Sequence, residues 1–123
     1  AGGFLTGKHT RDGGPNDARR TVFDFPPVDR ERAFACIDAM RPIAQAHDAS
    51  IAGIALAWLL HKPWVTSVII GAKNPDQLAD NLKAPKIRLT AEEMAALDSV
   101  SALAAEYPGW MTARQGDDRA NQI

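Results

Sequence analysis

Ser67-Val68-Ile69-Ile70-Gly71-Ala72-Lys73-Asn74-Pro75-Asp76-Gln77-Leu78-Ala79-Asp80-Asn81-Leu82 is the run on which the reading of this chain turns. Its start, extended back through Thr66 to Val65, is rich in β-branched residues and apolar at consecutive positions. That is the pattern of a strand buried on both faces, as in a parallel sheet or barrel. The strand is expected to end at Gly71-Ala72. Asn74 then offers an N-cap and Pro75 an N1 proline for a helix to about Leu82. Strand, short loop and helix make half of a βα unit, so the fold class read here is α/β. One such strand cannot form a sheet by itself, because both its edges would present unpaired backbone groups. The missing strands must come from another polypeptide segment, from self-association, or from the rest of a larger folded molecule.

Outward from that run the pattern is helical. From Arg30 to about His47, Phe34, Ile37, Ala44 and their neighbours recur at helical steps, with Pro42 expected to kink or divide the helix. Ser50 reads as the N-cap of an apolar helix from Ile51 to Leu60, which must be covered on several sides. Thr90-Ala91-Glu92-Glu93 is a capping box, with Thr90 at the N-cap and Glu93 at N3, launching a helix through Met94, Leu97 and Val100. Between Thr6 and Asp29, glycines, prolines and charges mix without period, which reads as a long mobile loop of the kind that often covers a ligand. The tail from Glu106 turns polar and is expected to fray. The chain opens on the apolar, glycine-rich Ala1-Gly2-Gly3-Phe4-Leu5, as a start in mid-fold would.

Composition narrows the function. The 123 residues carry 14 Lys+Arg against 15 Asp+Glu, a net charge of -1, so no overall basic field drives binding to nucleic acid or anionic lipid. No apolar stretch approaches the roughly 18 residues a membrane span needs, and no signal-peptide pattern is present. Cys36 is the single cysteine and no Cys/His pair has metal-ligand spacing, which points to a reducing, cytoplasmic setting without a metal. Cys36 lies on a helix among apolar neighbours and reads as a small core residue.

Three pieces resemble the aldo-keto reductase family, whose fold is a (β/α)8 TIM barrel with its site at the C-terminal strand ends. Ala1-Gly2-Gly3-Phe4-Leu5-Thr6-Gly7-Lys8 is similar to the loop after the seventh barrel strand. The run from Ser67 to Leu82 resembles the eighth strand, the phosphate-binding loop and the adenosine-contacting helix. Leu89-Thr90-Ala91-Glu92-Glu93-Met94-Ala95-Ala96-Leu97-Asp98 is similar to the closing helix. The resemblance implies a C-terminal fragment of that barrel, mostly helical in isolation with one clear barrel strand, and residues 1–123 as a partial domain that binds cofactor.

The implied cofactor is NADPH. Gly71, lacking a side chain, lets backbone N–H groups approach a phosphate, and the following helix turns its positive end to the same place. Lys73 would neutralise a 2'-phosphate, against the plainer reading of a solvated lysine. Gln77 shares a helix face with Asp80 and Asn81, where an amide and a carboxylate suit an adenine edge. By resemblance Gln77 and Asn81 are the adenosine contacts and Asp80 stands, among the cofactor-binding residues, at a position often held by Glu; Ala1 and Gly2 lie along the pyrophosphate, Lys8 is near the adenosine phosphate, and Arg19 or Arg20 adds a guanidinium. The family reduces a carbonyl by hydride transfer from the nicotinamide, with a tyrosine proton donor supported by lysine, aspartate and histidine from the first half of the barrel. None of these is matched here. Tyr107 and Trp110 sit in a late loop, where Tyr107 packs and Trp110 edges the substrate pocket, and His9, His47 and His61 are scattered. The expected function is therefore NADPH-dependent reduction of aldehydes or ketones by the parent reductase, with this chain supplying the dinucleotide clamp, inactive alone and partnered by the remaining N-terminal barrel segment. Two alternatives stand beside it: a non-catalytic NADPH-binding regulatory module on the same barrel, as in channel subunits, and an inactive truncated product.

Overall fold

The structure is a computed structural model and describes residues 2–14 and 27–103, together with Gly109 and Met111. Ala1, Arg19, Arg20, Tyr107 and Trp110 lie outside the described residues, as do residues 15–26 of the expected loop.

Four α-helices follow in chain order: α1 (Arg30–Ala46), α2 (Ile51–Leu60), α3 (Pro75–Asn81) and α4 (Ala91–Ser101), with 3-10 turns at Phe4–Thr6 and Ala84–Lys86. Each α-helix opens on a side chain that accepts a backbone N–H: Asp29 from Arg32, Ser50 from Gly53, Asn74 from Gln77 and Thr90 from Glu93. The capping box is complete, Glu93 Oε2 accepting from Thr90 N at 2.8 Å. A cap of this kind contributes about 0.5–2 kcal/mol by meeting a donor the helix leaves orphaned.

Pro42 does not divide α1, which runs on to Ala46. An interior proline costs about 3 kcal/mol. The buried stripe Ala33, Phe34, Ile37, Met40, Ile43 and Ala44 offsets this, since full burial of one large apolar side chain contributes about 1.5–3 kcal/mol. The helix stops in a Schellman turn. Asp48 takes a positive φ of 48°, its N–H donates to Gln45 O at 3.3 Å, and Ala49 N–H donates to Ala44 O at 2.9 Å. This turn sends the chain into α2 without a long connection.

The core sits where α1 packs on α4 and α2, with the Phe4–Thr6 turn lying against α1 and α2. Ile37, Ile54 and Ala57 are wholly buried there. Gly7, at φ 74°, lies so close to α2 that a Cβ would come 2.5 Å from Ile51 Cδ1. Three polar ties bind the helices from outside. Arg32 donates to Ser101 O at 2.6 Å and Ala102 O at 2.7 Å, capping the end of α4. His47 Nε2 meets both Glu93 oxygens at 2.9 Å. Asp98 accepts from Trp58 Nε1 at 2.6 Å and from Lys62 Nζ.

One expectation, the barrel strand, has no counterpart among the described residues. Residues 65–70 form no strand, and no strand occurs among the described residues. Ile69 is 100% exposed and Trp64 77%. A strand is completed by a neighbour's hydrogen bonds, and no described segment supplies that neighbour. The helices need no such partner, because their hydrogen bonds close within the segment. The apolar α2 is likewise only partly covered: Gly53, Ile54 and Ala57 are buried, and the rest of the helix is half-buried.

Candidate functional site

The loop before α3 is built by side chains that reach back from the helix. Asn74 Oδ1 accepts from Gln77 N at 2.9 Å and starts α3. Gln77 Oε1 in turn accepts from Lys73 N at 2.9 Å, and Asn81 Nδ2 donates to Gly71 O at 3.2 Å. Gln77 and Asn81 are one helical turn apart, so both side chains rise from the same face. The loop of residues 71–74 is thereby held at two points while staying exposed, and a Cβ built on Gly71 would meet nothing within 4 Å.

What these side chains retain decides what they can bind. Gln77 uses its carbonyl on the loop and keeps its amide N–H2; Asn81 uses its amide and keeps its carbonyl. The pair presents one donor group beside one acceptor, the complement of a base edge that carries an acceptor next to an amino group. The approach to Gly71 is open beside this pair.

The other expected residues fall in different places. Asp80 points to α2, where its Oδ2 accepts from Ser50 Oγ at 2.6 Å. Gly2, half-buried at φ 56°, and exposed Lys8 flank the Phe4–Thr6 turn. That turn packs on α1 and α2, and α3 also packs on α2, so α2 is the element both halves of the expected site share. Phe4 stacks on His9, their ring centroids 5.1 Å apart.

A cleft of about 450 Å³ opens on the α2 side of Asp80, bordered by His47, Ser50, Asp80, Lys83, Lys86 and Arg88. Nothing in the sequence pattern marked it, because its residues come from two separate stretches, 47–53 and 80–88.

Charge effects gather at the helix ties. The backbone N–H of Thr90, followed by the bond from His47, holds the Glu93 carboxyl below the ordinary glutamate range, against opposing desolvation. Lys62, then Trp58, do the same for Asp98. Burial pushes the Cys36 thiol up, with Arg32 opposing, and Cys36 Sγ lies 3.8 Å from Val100 O; a raised thiol is a poor nucleophile. His47 does have a carboxylate partner, yet that carboxylate already serves the α4 cap. His61 Nδ1 lies 2.8 Å from Ala57 O at the end of α2. Among the described residues no group of three His, Cys, Asp or Glu is placed to hold a metal, and no single helix is long and apolar enough to cross a membrane.

Comparison with known proteins bears on this arrangement. Residues 1–102 match the Aldo/keto reductase family. The chain is 34% identical over 116 residues to "Aldo-keto reductase str7" of Strobilurus tenacellus, covering 93% of this chain and 34% of that protein. It is 31% identical over 88 residues to "NADH-specific methylglyoxal reductase" of Escherichia coli strain K12, covering 72% of this chain and 27% of the relative. Over another 88 residues it is 32% identical to "Probable voltage-gated potassium channel subunit beta" of Oryza sativa subsp. japonica, covering 68% and 27%. The chain thus spans 27% to 34% of the length of these curated relatives.

Proposed function

Because the chain belongs to the aldo/keto reductase family, we propose that it forms the NADPH-holding part of a reductase that converts aldehydes or ketones to alcohols. The observation that carries the reading is the exposed loop of residues 71–74, open at Gly71 and braced by Gln77 and Asn81, with a donor and an acceptor left over on α3. In this reading the loop receives the adenosine phosphates, and Lys73 answers the 2'-phosphate that distinguishes NADPH from NADH. The face of α3 that carries Gln77, Asp80 and Asn81 is the adenosine side. Gly2 and Lys8 belong to the pyrophosphate side, joined with Ala1.

The bound dinucleotide supplies a hydride for a carbonyl carbon, and this chain's residues bind and orient it. The remaining barrel strands are assigned to an N-terminal segment that pairs with residues 65–70, where Val65, Val68 and Ile70 are only half-buried and Ile69 is exposed, so that pairing would complete their burial on both faces. We assign it to a reducing, cytoplasmic setting, with which the single cysteine Cys36 is consistent. The similarity to a relative named as a potassium channel β subunit favours a second reading, a cofactor-binding regulatory subunit on the same barrel that does not depend on turnover.

Titration of the 123-residue chain with NADPH and NADH tests the proposal. A 2'-phosphate preference of about tenfold, lost in Lys73→Ala while NADH affinity is kept, is the expected result. Equal affinities for the two cofactors in the unaltered chain would remove the role given to Lys73, and no binding of either would remove the nucleotide reading.

A further inference from the structure

The hydrogen bonds on α3 split a trio of residues that helical spacing groups together. Gln77 and Asn81 turn back to the loop of residues 71–73, whereas Asp80 turns to α2. Ser50 Oγ, the donor to Asp80 Oδ2 at 2.6 Å, also accepts Gly53 N–H at 2.9 Å. Its single proton is therefore committed to Asp80 while its oxygen caps α2. The distance falls in the range of a charge-assisted O–H···O⁻ bond, roughly twice as strong as a neutral one. Ser50 and Asp80 are both half-buried. The cleft on that side supports the same division, because Ser50 and Asp80 both border it whereas Gln77, Asn81 and residues 71–74 do not.

The geometry points to Asp80 as a positioning residue: tied to Ser50, it seats α3 on α2 and leaves the reading of the base to Gln77 and Asn81. This rests on the nucleotide-binding reading above and changes the part Asp80 plays in it. A carboxylate held by Ser50 cannot swing toward a base without giving up that bond. The bond fixes the rotation of a seven-residue helix too short to be stable by its own hydrogen bonds. Through that rotation Ser50 and Asp80 set where the donor of Gln77 and the acceptor of Asn81 stand.

The test uses the 123-residue chain and the variants Asp80→Ala, Asp80→Asn, Ser50→Ala and the double Ser50→Ala/Asp80→Ala. Each is measured for its thermal midpoint and for its affinity for NADP⁺ and the hypoxanthine analogue, in which an oxygen replaces the adenine amino group. Asp80→Ala is expected to lower the midpoint by about 4 °C or more. The double variant should melt within about 1 °C of Ser50→Ala, because the bond is already gone. Asp80→Asn retains an acceptor and should restore most of the loss. At a temperature where every variant is folded, Asp80→Ala should weaken NADP⁺ binding about 3- to 10-fold with the preference for adenine over hypoxanthine unchanged, whereas Asn81→Ala should erase that preference. The proposal is overturned if the effects on the midpoint of the two single variants add. It is overturned equally if Asp80→Ala abolishes the base preference with the midpoint unmoved. If the unaltered chain binds neither dinucleotide, the nucleotide reading fails, and the thermal cycle by itself decides whether Ser50 and Asp80 are tied.

Discussion

The α1–α4 contact and residues 61–74 are both rich in apolar side chains, yet only the first is a packed structure. Across α1 and α4, Ile37 and Leu97 are at most 4% exposed, whereas Ile69 in the second region is wholly exposed. The difference is one of hydrogen bonding before it is one of hydrophobicity. A helix closes its own backbone bonds and then needs only a surface to lie on, which the neighbouring helices provide. A strand leaves its backbone groups to neighbours on both sides, so a run such as residues 65–70 stays unpaired, and only partly covered, until those neighbours arrive.

The comparison is broken most forcefully by truncating one isoleucine in each region. Ile37→Ala should cost about 2–5 kcal/mol by opening a cavity among α1, α2 and α4. Ile69→Ala should change the stability of this chain by less than about 0.5 kcal/mol, as surface substitutions do. Denaturant melts of the two variants check this, and a large loss from Ile69→Ala would mean that residues 65–70 are packed. Arg32→Ala comes next. It strips the end of α4 of two bonds to Ser101 O and Ala102 O and should cost about 1–3 kcal/mol, with faster amide exchange confined to the last turn of α4.

The Glu93 tie adds a pH dependence to the packed region alone. Its folded carboxyl lies below the ordinary value, so the unfolded chain takes up the proton first as pH falls. The contribution is complete above the unfolded glutamate pKa of about 4.3 and is lost as pH drops through the lower folded value. Glu93→Gln should flatten the acid limb of the stability curve between those two points, while substitutions within residues 65–70 should leave its shape unchanged. One modest effect is expected to be a gain. Asp48 holds a left-handed backbone conformation at the end of α1, and Asp48→Gly should stabilise the chain by up to about 1 kcal/mol in the same melts.

Local chemistry made the helices legible from the residues. Ser50, Asn74 and Thr90 cap the helices their side-chain chemistry predicts, and the Thr90/Glu93 box is present in full. The end of α1 was less legible, since a Schellman turn usually announces itself with glycine and here uses Asp48. The strand was legible only as a requirement for partners. Of the candidate site, the spacing placed Gln77 and Asn81 on one face, and both do brace the loop that Gly71 opens.

What the sequence by itself determined is therefore what depends on a few consecutive residues: the caps, the helix extents and the family to which the chain belongs. Tertiary structure alone decided that Asp80 would meet Ser50 across 30 residues, that His47 would share Glu93 with a helix cap, and that residues 65–70 would stay unpaired with Ile69 fully exposed. The physical reason is range. Capping and periodicity act within one helical turn, whereas the partner of a carboxylate, an imidazole or a strand edge is whichever group the packing brings near it.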